Sequence, residues 1–326
     1  MYYIVPDSLT ELGDEHFANN QILISVYIPD TIKKIGDGAF KDCFNLKFVR
    51  WPKSIINIPH FCFHGCIRLE KIVNNPTIKT EQSTVINDSE RRSSINESLS
   101  TVINDGERRS SPFSFARIGI SSAFGFKSLN SCRMLKHVVI NNSVTEVQNE
   151  AFAYCSSLKS IKLSNNLRQI SNYMFDCCRQ LETIIIPKSV TSIGSFAFAN
   201  CSALTKIVLT DSIVEIGEGA FINCSALEII DLSETKISVI KWCTFSECSS
   251  LKTIILPNTI STIQLEAFYN CKQLRKINFP HMLTEIGTNA FYNCNITIPK
   301  LVMIKPNSTT FIHPETNVVE KTGCCG

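Results

Sequence analysis

Phenylalanine recurs along this chain at a nearly constant interval of about 23 residues, and this period restricts the fold more than any other feature. Aligning on that residue gives one series: Phe17, Phe40, Phe63, Phe124, Phe152, Phe175, Phe198, Phe221, Phe245, Phe268 and Phe291. Self-similarity at a period in the twenties is the signature of a solenoid, in which each unit buries its apolar residues by stacking on its neighbours. The sequence therefore predicts one array of about eleven coils.

The spacing of apolar residues within one unit predicts the course of a coil. In the unit that begins at Leu181, Ile184 and Ile186 stand two apart, as expected for a strand with one buried face. A proline and a second short strand follow. A glycine then opens a turn into a short helical segment that carries Ala197 and Phe198. The fold is therefore predicted to be an α/β repeat solenoid.

The stretch LETIIIPKSVTSIGSFAFANC, residues 181–201, resembles the BspA-like class of leucine-rich repeats, found in surface and intracellular proteins of bacteria and protists. The same pattern covers about residues 9 to 299, apart from one interruption. The resemblance implies a right-handed leucine-rich-repeat superhelix of about eleven coils, with a parallel sheet on its concave face.

One cysteine stands three residues after most of the repeated phenylalanines. These ladder cysteines are Cys43, Cys66, Cys155, Cys178, Cys201, Cys224, Cys248, Cys271 and Cys294, and Cys132 is placed in the same role after a five-residue insertion. A zinc site needs ligands that converge, commonly as Cys-x-x-Cys pairs, whereas a column of single cysteines does not converge. The ladder cysteines are predicted to be buried, with each thiol meeting a carbonyl of the adjacent coil. Cys62, Cys177 and Cys243 are expected on surfaces that the pattern does not fix.

The repeat is interrupted between Phe63 and Phe124, whose separation lies between two and three periods and fits no whole number of coils. About 37 residues are inserted into one coil, and we expect them on the side away from the main strand. The predicted organisation is N-terminal repeats (1–78), a polar insertion predicted to be disordered (79–115), further repeats (116–299) and a C-terminal cap and tail (300–326). The insertion repeats STVINDSERRSS as STVINDGERRSS, so Ser94 and Ser111 each follow an arginine pair. Arg-Arg-x-Ser resembles a basophilic kinase target; the alternative is a duplicated solvated loop without modification.

The outward side chains of the main strands form the candidate binding surface. If Ile184 and Ile186 face the core, Thr183 and Ile185 face outward. Carrying that register along the array selects ten residues for a protein partner: Tyr27, Phe48, Arg50, Val139, Lys162, Ile185, Lys206, Val208, Ile255 and Lys276. The alternative is that β-branched residues stand there only because they favour strands.

Charge and motifs favour binding over catalysis. The 32 basic and 29 acidic side chains leave a net charge of +3, so no dominant field points toward nucleic acid. No phosphate loop, nucleophile elbow or Gly-x-Gly-x-x-Gly is present, and His60 and His64 offer at best a two-ligand surface site. We therefore expect neither an enzyme nor a metal site nor a cofactor.

The two ends of the chain bear on location. The N-terminal segment has no basic n-region and no apolar h-region, and no run is apolar enough to span a membrane. A cap strand is predicted at residues 301–304. The cysteine pair Cys324 and Cys325 further on resembles the doubly prenylated ends of Rab-type small GTPases, but the following Gly326 and the lack of an aliphatic pair depart from the standard form. The expectation is a non-enzymatic, cytoplasmic scaffold that binds a protein and is membrane-tethered if that pair is lipidated. The alternative implied by the resemblance is a cell-surface adhesin that binds host or matrix proteins.

Overall fold

The computed structural model describes residues 1–73, 116–118, 123–140, 142–298 and 303–304. In order along the chain its strands are β1 (Tyr2–Ile4), β2 (Glu11–Leu12), β3 (Ser25–Tyr27), β4 (Lys34–Ile35), β5 (Phe48–Arg50), β6 (Asn57–Ile58), β7 (Lys71–Val73), β8 (Ala116–Ile118), β9 (Ala123–Phe124), β10 (His137–Ile140), β11 (Glu146–Val147), β12 (Ser160–Lys162), β13 (Gln169–Ile170), β14 (Thr183–Ile185), β15 (Ser192–Ile193), β16 (Lys206–Val208), β17 (Glu215–Ile216), β18 (Ile229–Asp231), β19 (Val239–Ile240), β20 (Thr253–Ile255), β21 (Thr262–Ile263), β22 (Lys276–Ile277), β23 (Glu285–Ile286) and β24 (Met303–Ile304). Three-residue and two-residue strands largely alternate, so each regular coil contributes one strand to a main column and one to a second column. The main column, here called the main sheet, is hydrogen-bonded in three sections, β1-β3-β5-β7, β8-β10-β12-β14-β16 and β18-β20-β22.

All paired strands are parallel, and the partners in the regular coils stand one repeat apart. In the main sheet Ile184 pairs with Ile207, and in the second column Ile193 pairs with Ile216. This is the register that the sequence period dictates, because each residue meets its equivalent in the next coil. The predicted repeat solenoid is therefore confirmed.

Phenylalanine rings stack in a column through the core. The Phe198 and Phe221 ring centroids lie 5.4 Å apart with an interplanar angle of 1°, and Phe221 and Phe245 repeat that arrangement at 5.4 Å and 2°. All three rings are fully buried, and aliphatic residues of both strand columns pack around them. Removing apolar area from water along the whole array is the main stabilising term.

The short helical segment predicted around Phe198 is wrong, since this part of the coil is a pair of tight turns. The N–H groups of Phe196, Phe198 and Asn200 donate to carbonyls of the next coil, whereas those of Ala199 and Cys201 donate three residues back. In an α-helix each N–H beyond the first turn donates to the carbonyl four residues back in the same helix. Among the described residues the structure contains no α-helix, and the solenoid is built from strands and turns.

Two residues of each turn adopt a left-handed backbone conformation. They stand two before and two after the stacked residue, at Glu15, Gly38, Phe61, Lys127, Glu150, Tyr173, Phe196, Gly219, Cys243, Glu266 and Asn289, and at Asn19, Asp42, Gly65, Ser131, Tyr154, Cys177, Asn200, Asn223, Glu247, Asn270 and Asn293. Asparagine and glycine accept positive φ more readily than other residues, which accounts for their frequency at the second position. These two reversals per turn exclude a continuous helix.

Phe124 does not belong to the phenylalanine column. It lies in β9, where it pairs with Ile58 and Val147 of the neighbouring coils. Leu129 occupies the column position instead, and its N–H donates to Ala151 as the other column residues donate to the next coil. Cys132 therefore follows its column residue by the usual three positions, and the predicted five-residue insertion does not exist.

The interruption changes the main sheet rather than the opposite side. Phe63 and Leu129 occupy the same position in neighbouring coils, so one repeat should separate them. Nearly three repeats do, and the inserted residues therefore amount to almost two repeats, more than predicted. The chain leaves after β7 and returns as β8, which lies beside β7 and pairs with β10. In the second column β6 pairs directly with β9. The main sheet thus gains one strand here, contrary to the expected placement away from the main strand.

The predicted cap strand is confirmed at its C-terminal half. β24 pairs with β23, where Glu285 meets Met303 and Ile286 meets Ile304. The segment 79–115, with Ser94 and Ser111, lies outside the described residues, as do Cys324 and Cys325. The proposed division of the chain at those segments stays a prediction.

Candidate functional site

The candidate site is the main-sheet face, defined as the outward side chains of the three-residue strands. In β14 the central Ile184 is buried, while Ile185 is 70% exposed and Thr183 also faces solvent. The same exposed–buried–exposed pattern recurs in β16 and β18. The strand period therefore places the outward residues where the sequence predicts them.

Four apolar side chains lie close together on this face. Ile185 pairs with Val208, which is 39% exposed, and Ile229 on the next strand is 57% exposed. Ile255 follows, paired with Asp231 and 37% exposed. The exposed carboxylate of Asp231 separates Val208 from Ile255, and Ile229 lies in the neighbouring column, paired with Thr253. The four exposed aliphatic side chains on successive strands are therefore an apolar patch that includes one carboxylate. This cluster of Ile185, Val208, Ile229 and Ile255 is called the apolar row.

Exposed lysines flank the apolar row. Lys206 pairs with Thr183 at one side, and Lys276 pairs with Thr253 further along. Lys162 lies on β12, opposite Val139 of β10, which is half-buried. Within the described part of the chain no carboxylate forms a salt bridge with any of these three lysines.

A basic region lies beside Lys162. The Nδ1 of His137 is 2.9 Å from the Ser160 hydroxyl, and burial, followed by the charges of Lys159 and Lys136, lowers the pKa of His137. The imidazole is therefore held neutral over a wider pH range than usual. The positive charge of this region comes from lysine, not from histidine.

At the N-terminal end the predicted binding residue Arg50 is already bound within the chain. The Arg50 guanidinium lies 5.0 Å from the Tyr27 ring centroid, and its two terminal nitrogens contact both carboxylate oxygens of Asp30 at 2.8 and 2.9 Å. The hydrogen bond from Arg50 is the main cause that lowers the pKa of Asp30. Only 11% of the Arg50 side chain is exposed. Arg50 therefore stabilises the fold here, and Tyr27 and Phe48 are half-buried around it.

The ladder cysteines have the structural role that the sequence predicts. Each is buried and donates its S–H to a main-chain carbonyl of the previous coil; the pairs are Cys43–Phe17, Cys66–Phe40, Cys132–Phe63, Cys155–Leu129, Cys178–Phe152, Cys201–Phe175, Cys224–Phe198, Cys248–Phe221, Cys271–Phe245 and Cys294–Phe268. Burial raises the pKa of Cys155 and of Cys248 to about 12. A protonated, hydrogen-bonded thiol is neither a nucleophile nor a metal ligand.

The expectation that Cys62, Cys177 and Cys243 lie on variable surfaces is wrong, because all three are buried. Cys62 takes the inward position that Ala197 holds in its own coil. Within the described ranges there is no group of three or more histidine, cysteine, aspartate or glutamate side chains that could hold a metal ion. The ring of His60 instead accepts a hydrogen bond from the Phe126 N–H at 3.3 Å.

Sequence reasoning missed two features of the surface. Ile229 is among the most exposed apolar side chains of the main-sheet face, yet the predicted set omits it, although the outward register alone could have identified it. The second feature is a groove along the turn edge, lined in part by the stacked rings of Tyr173 and Phe196. Its residues come from different coils and have no common sequence signal.

These features define the class of the protein, a parallel β-solenoid of the leucine-rich-repeat type. The family model for the BspA type leucine rich repeat region matches six copies, over residues 2–105, 122–239 and 168–298. The chain belongs to this family, as the repeat pattern predicts. Families of this kind are generally non-enzymatic and typical of protein–protein interaction and of surface proteins.

Solved structures of leucine-rich repeat proteins align with this chain. A leucine-rich repeat protein from Bacteroides ovatus is 20% identical, with 94% of this chain and 91% of that chain covered and a TM-score of 0.53. One from Eubacterium ventriosum is 18% identical, with 98% and 87% covered and a TM-score of 0.49. A leucine rich cell surface protein from Faecalibacterium prausnitzii is 22% identical, with 94% and 88% covered and a TM-score of 0.38. The Bacteroides protein shows a shared fold, and no curated protein matches this chain.

Over the ranges that the structure describes, no helix has the length and apolar character needed to cross a membrane.

Proposed function

We propose that this chain is a non-enzymatic scaffold that binds a partner protein on its main-sheet face. The observation that carries the proposal is the apolar row of Ile185, Val208, Ile229 and Ile255, exposed on adjacent strands and bordered by Lys162, Lys206 and Lys276. Interfaces combine an apolar centre with a polar rim, and burying the row would remove its side chains from water.

The N-terminal end of the main-sheet face has a different role in this proposal. Arg50 is already bound to Asp30 and packed over Tyr27, so its charge is largely satisfied within the chain. We therefore propose that the apolar row contributes most of the binding free energy. Tyr27, Phe48 and Arg50 would shape the N-terminal end of the main-sheet face. Val139 is half-buried and lies on the far side of Lys162 from Ile185, so this lysine separates it from the apolar row.

The proposal is tested by comparing two matched variants in a pull-down from the native cell. Ile185→Asp with Ile255→Asp places charge in the row without disturbing the core, because both side chains point outward. Val214→Asp is the control, since Val214 is 54% exposed but lies beside β17, outside the main sheet. We expect a set of proteins that the wild type and the control retain and the double variant loses. An identical set for all three would overturn the proposal.

The non-enzymatic part of the proposal is supported by the family, whose repeats generally serve as non-catalytic scaffolds. The burial and protonation of the described thiols is consistent with a structural role for them.

The location of the scaffold is part of the proposal. We place it in the cytoplasm, tethered to a membrane if Cys324 and Cys325 carry lipids, and the intact mass of the protein from its native cells tests this. Added prenyl or palmitoyl mass on the last peptide would support the tether, and the same spectrum would show phosphate on Ser94 or Ser111. Labelling of intact cells by an impermeant biotin reagent would instead support the surface adhesin.

A further inference from the structure

The section of the main sheet from β8 to β16 is rich in lysine. Lys162 on β12 and Lys206 on β16 point outward, and Lys136 and Lys159 stand immediately before β10 and β12. All four residues are exposed. Neighbouring strands lie about 4.8 Å apart, so the four backbone positions fall within about 15 Å of one another. These four residues are called the lysine group.

A lysine at the same place in another coil has an acidic partner. Lys252, immediately before β20, lies 2.9 Å from Glu228 of the preceding coil. Lys136 and Lys159 instead stand in successive coils, where the Lys159 N–H donates to the Lys136 carbonyl at 2.7 Å. Glu182 follows in the next coil, yet within the described ranges no carboxylate forms a salt bridge with the lysine group. Like charges on neighbouring strands repel, so this part of the face carries uncompensated positive charge.

The histidine beside the lysine group reports the sign of the local field. Burial is the main cause that lowers the pKa of His137, and the charges of Lys159 and Lys136 each lower it by more than Glu182 raises it. A neighbouring positive charge disfavours the imidazolium ion, so these side chains together produce a positive field at His137. An anionic group bound here would reduce the repulsion among the lysines.

An exposed aliphatic side chain lies among the lysines. Ile185 is 70% exposed on β14, between Lys162 on β12 and Val208 on β16. Lys206 stands two residues before Val208 on the same strand and pairs with Thr183. Covering Ile185 would remove apolar area from water and strengthen the neighbouring charge interactions by lowering the local dielectric constant. A matching ligand therefore carries an apolar side chain beside its negative charges.

We propose that this part of the main-sheet face binds an acidic segment of the partner protein, in which glutamate or aspartate side chains flank an apolar one. The carboxylates contact the lysine group, and the apolar side chain covers Ile185. A nucleic acid would also place negative charge on the lysines, but its phosphates would leave Ile185 and Val208 without an apolar contact. This inference rests on the proposed function, because it specifies the chemistry of the partner that the same face binds.

The probe is the peptide Glu-Glu-Leu-Glu-Glu, with a rhodamine label at its N-terminus and an amidated C-terminus, compared with the same peptide containing glutamine for glutamate. Fluorescence anisotropy measures both affinities. We expect the glutamate peptide to bind about tenfold more tightly in low salt, because several exposed ion pairs each add a small amount. The difference should vanish at about 1 M salt, where the Debye length is only about 3 Å.

Three results would overturn the proposal. They are equal affinities of the two peptides in low salt, the absence of saturable binding of the glutamate peptide, and tighter binding of a single-stranded oligothymidylate than of that peptide.

The variant Lys159→Gln with Lys162→Gln removes two of the four charges from exposed positions. The preference for the glutamate peptide should fall from about tenfold to about threefold, because half of the charge contacts are lost. Lys236→Gln with Lys272→Gln is the matched control, since both lysines are exposed outside the main sheet and the change in net charge is the same. The control should keep the full preference. An unchanged preference in the first variant, or an equal loss in both, would refute the assignment.

A pull-down from the native cell separates this inference from the proposed function. Proteins lost by Ile185→Asp with Ile255→Asp but retained by Lys159→Gln with Lys162→Gln would leave the scaffold function in place and overturn the acidic partner. Retention of every protein by Ile185→Asp with Ile255→Asp would overturn the proposed function itself. We expect the lysine variant to lose the same proteins as the isoleucine variant.

Discussion

The ladder cysteines predict an unusual loss of stability at alkaline pH. In the folded chain, burial raises the pKa of eight thiols to about 12 or well above the usual value; they are Cys66, Cys132, Cys155, Cys178, Cys201, Cys224, Cys248 and Cys271. In the unfolded chain the same thiols titrate near their ordinary pKa of about 8.5. Because the folded pKa values are raised, the stabilisation is complete below about pH 8.5 and is lost as pH rises above it.

The magnitude follows from that difference in proton binding. Between pH 8 and pH 10 an unfolded thiol loses its proton while a folded one keeps it, which lowers the free energy of unfolding by about 2 kcal/mol per thiol. For eight thiols the total is about 15 kcal/mol, as large as the whole stability of an ordinary domain. We therefore expect the reduced protein to unfold before pH 10.

Urea unfolding followed by circular dichroism, at several pH values from 7 to 10 with a non-thiol reductant, measures this loss. The variant with Cys178→Ala, Cys201→Ala and Cys224→Ala removes three of the eight groups, so its pH dependence should fall by about three-eighths. Its stability at pH 7 should also fall, since three buried sulfur atoms and their hydrogen bonds are lost. A free energy of unfolding that stays constant from pH 8 to pH 10, or an equal pH dependence in both proteins, would refute the reasoning.

Three further predictions concern the stacked coils. Phe221→Ala should lower the free energy of unfolding by about 3–5 kcal/mol in urea titrations, because the ring is stacked on both sides. Phe221→Leu should lower the free energy of unfolding by less, because Leu129 already fills the same position in another coil. Cys177→Asn should raise the melting temperature, since asparagine accepts the φ of 59° there more readily, and a lower value would contradict this. Gly217→Ala should be strongly destabilising because its Cβ would lie 2.4 Å from a backbone nitrogen of the previous coil, whereas Gly13→Ala, with nothing within 4 Å, should melt close to wild type.

The location of Gly13 illustrates how far repeat reasoning extends. Gly217 and Gly13 occupy equivalent places in their coils, so the pattern alone treats them alike. At Gly13 nothing in the described structure lies within 4 Å of a Cβ built there, so the close approach is absent. Steric demand therefore depends on the neighbour, which a single unit of sequence does not contain.

The candidate site was predictable only in its register. Alternation within a three-residue strand determines that Ile185 faces out when Ile184 faces in, and the structure agrees. The state of Arg50 was not predictable, because its partner Asp30 comes from the preceding coil and the bidentate contact depends on how both side chains point. The position of the Phe196 ring likewise depends on the next coil, because a Cβ at Gly219 would lie 2.4 Å from it.

The sequence by itself determined the solenoid, its register and the burial of the ladder cysteines, because its regular period allows each apolar position to be buried only against its equivalent in the next coil. The tertiary structure alone decided that the segment around Phe198 is two tight turns, since alternate N–H groups there bond to the next coil and not within the segment. It also decided that Leu129 stands in the phenylalanine column and that β8 adds a strand to the main sheet. These features depend on hydrogen bonds and contacts between coils, and a local pattern of residues records only the coil to which it belongs.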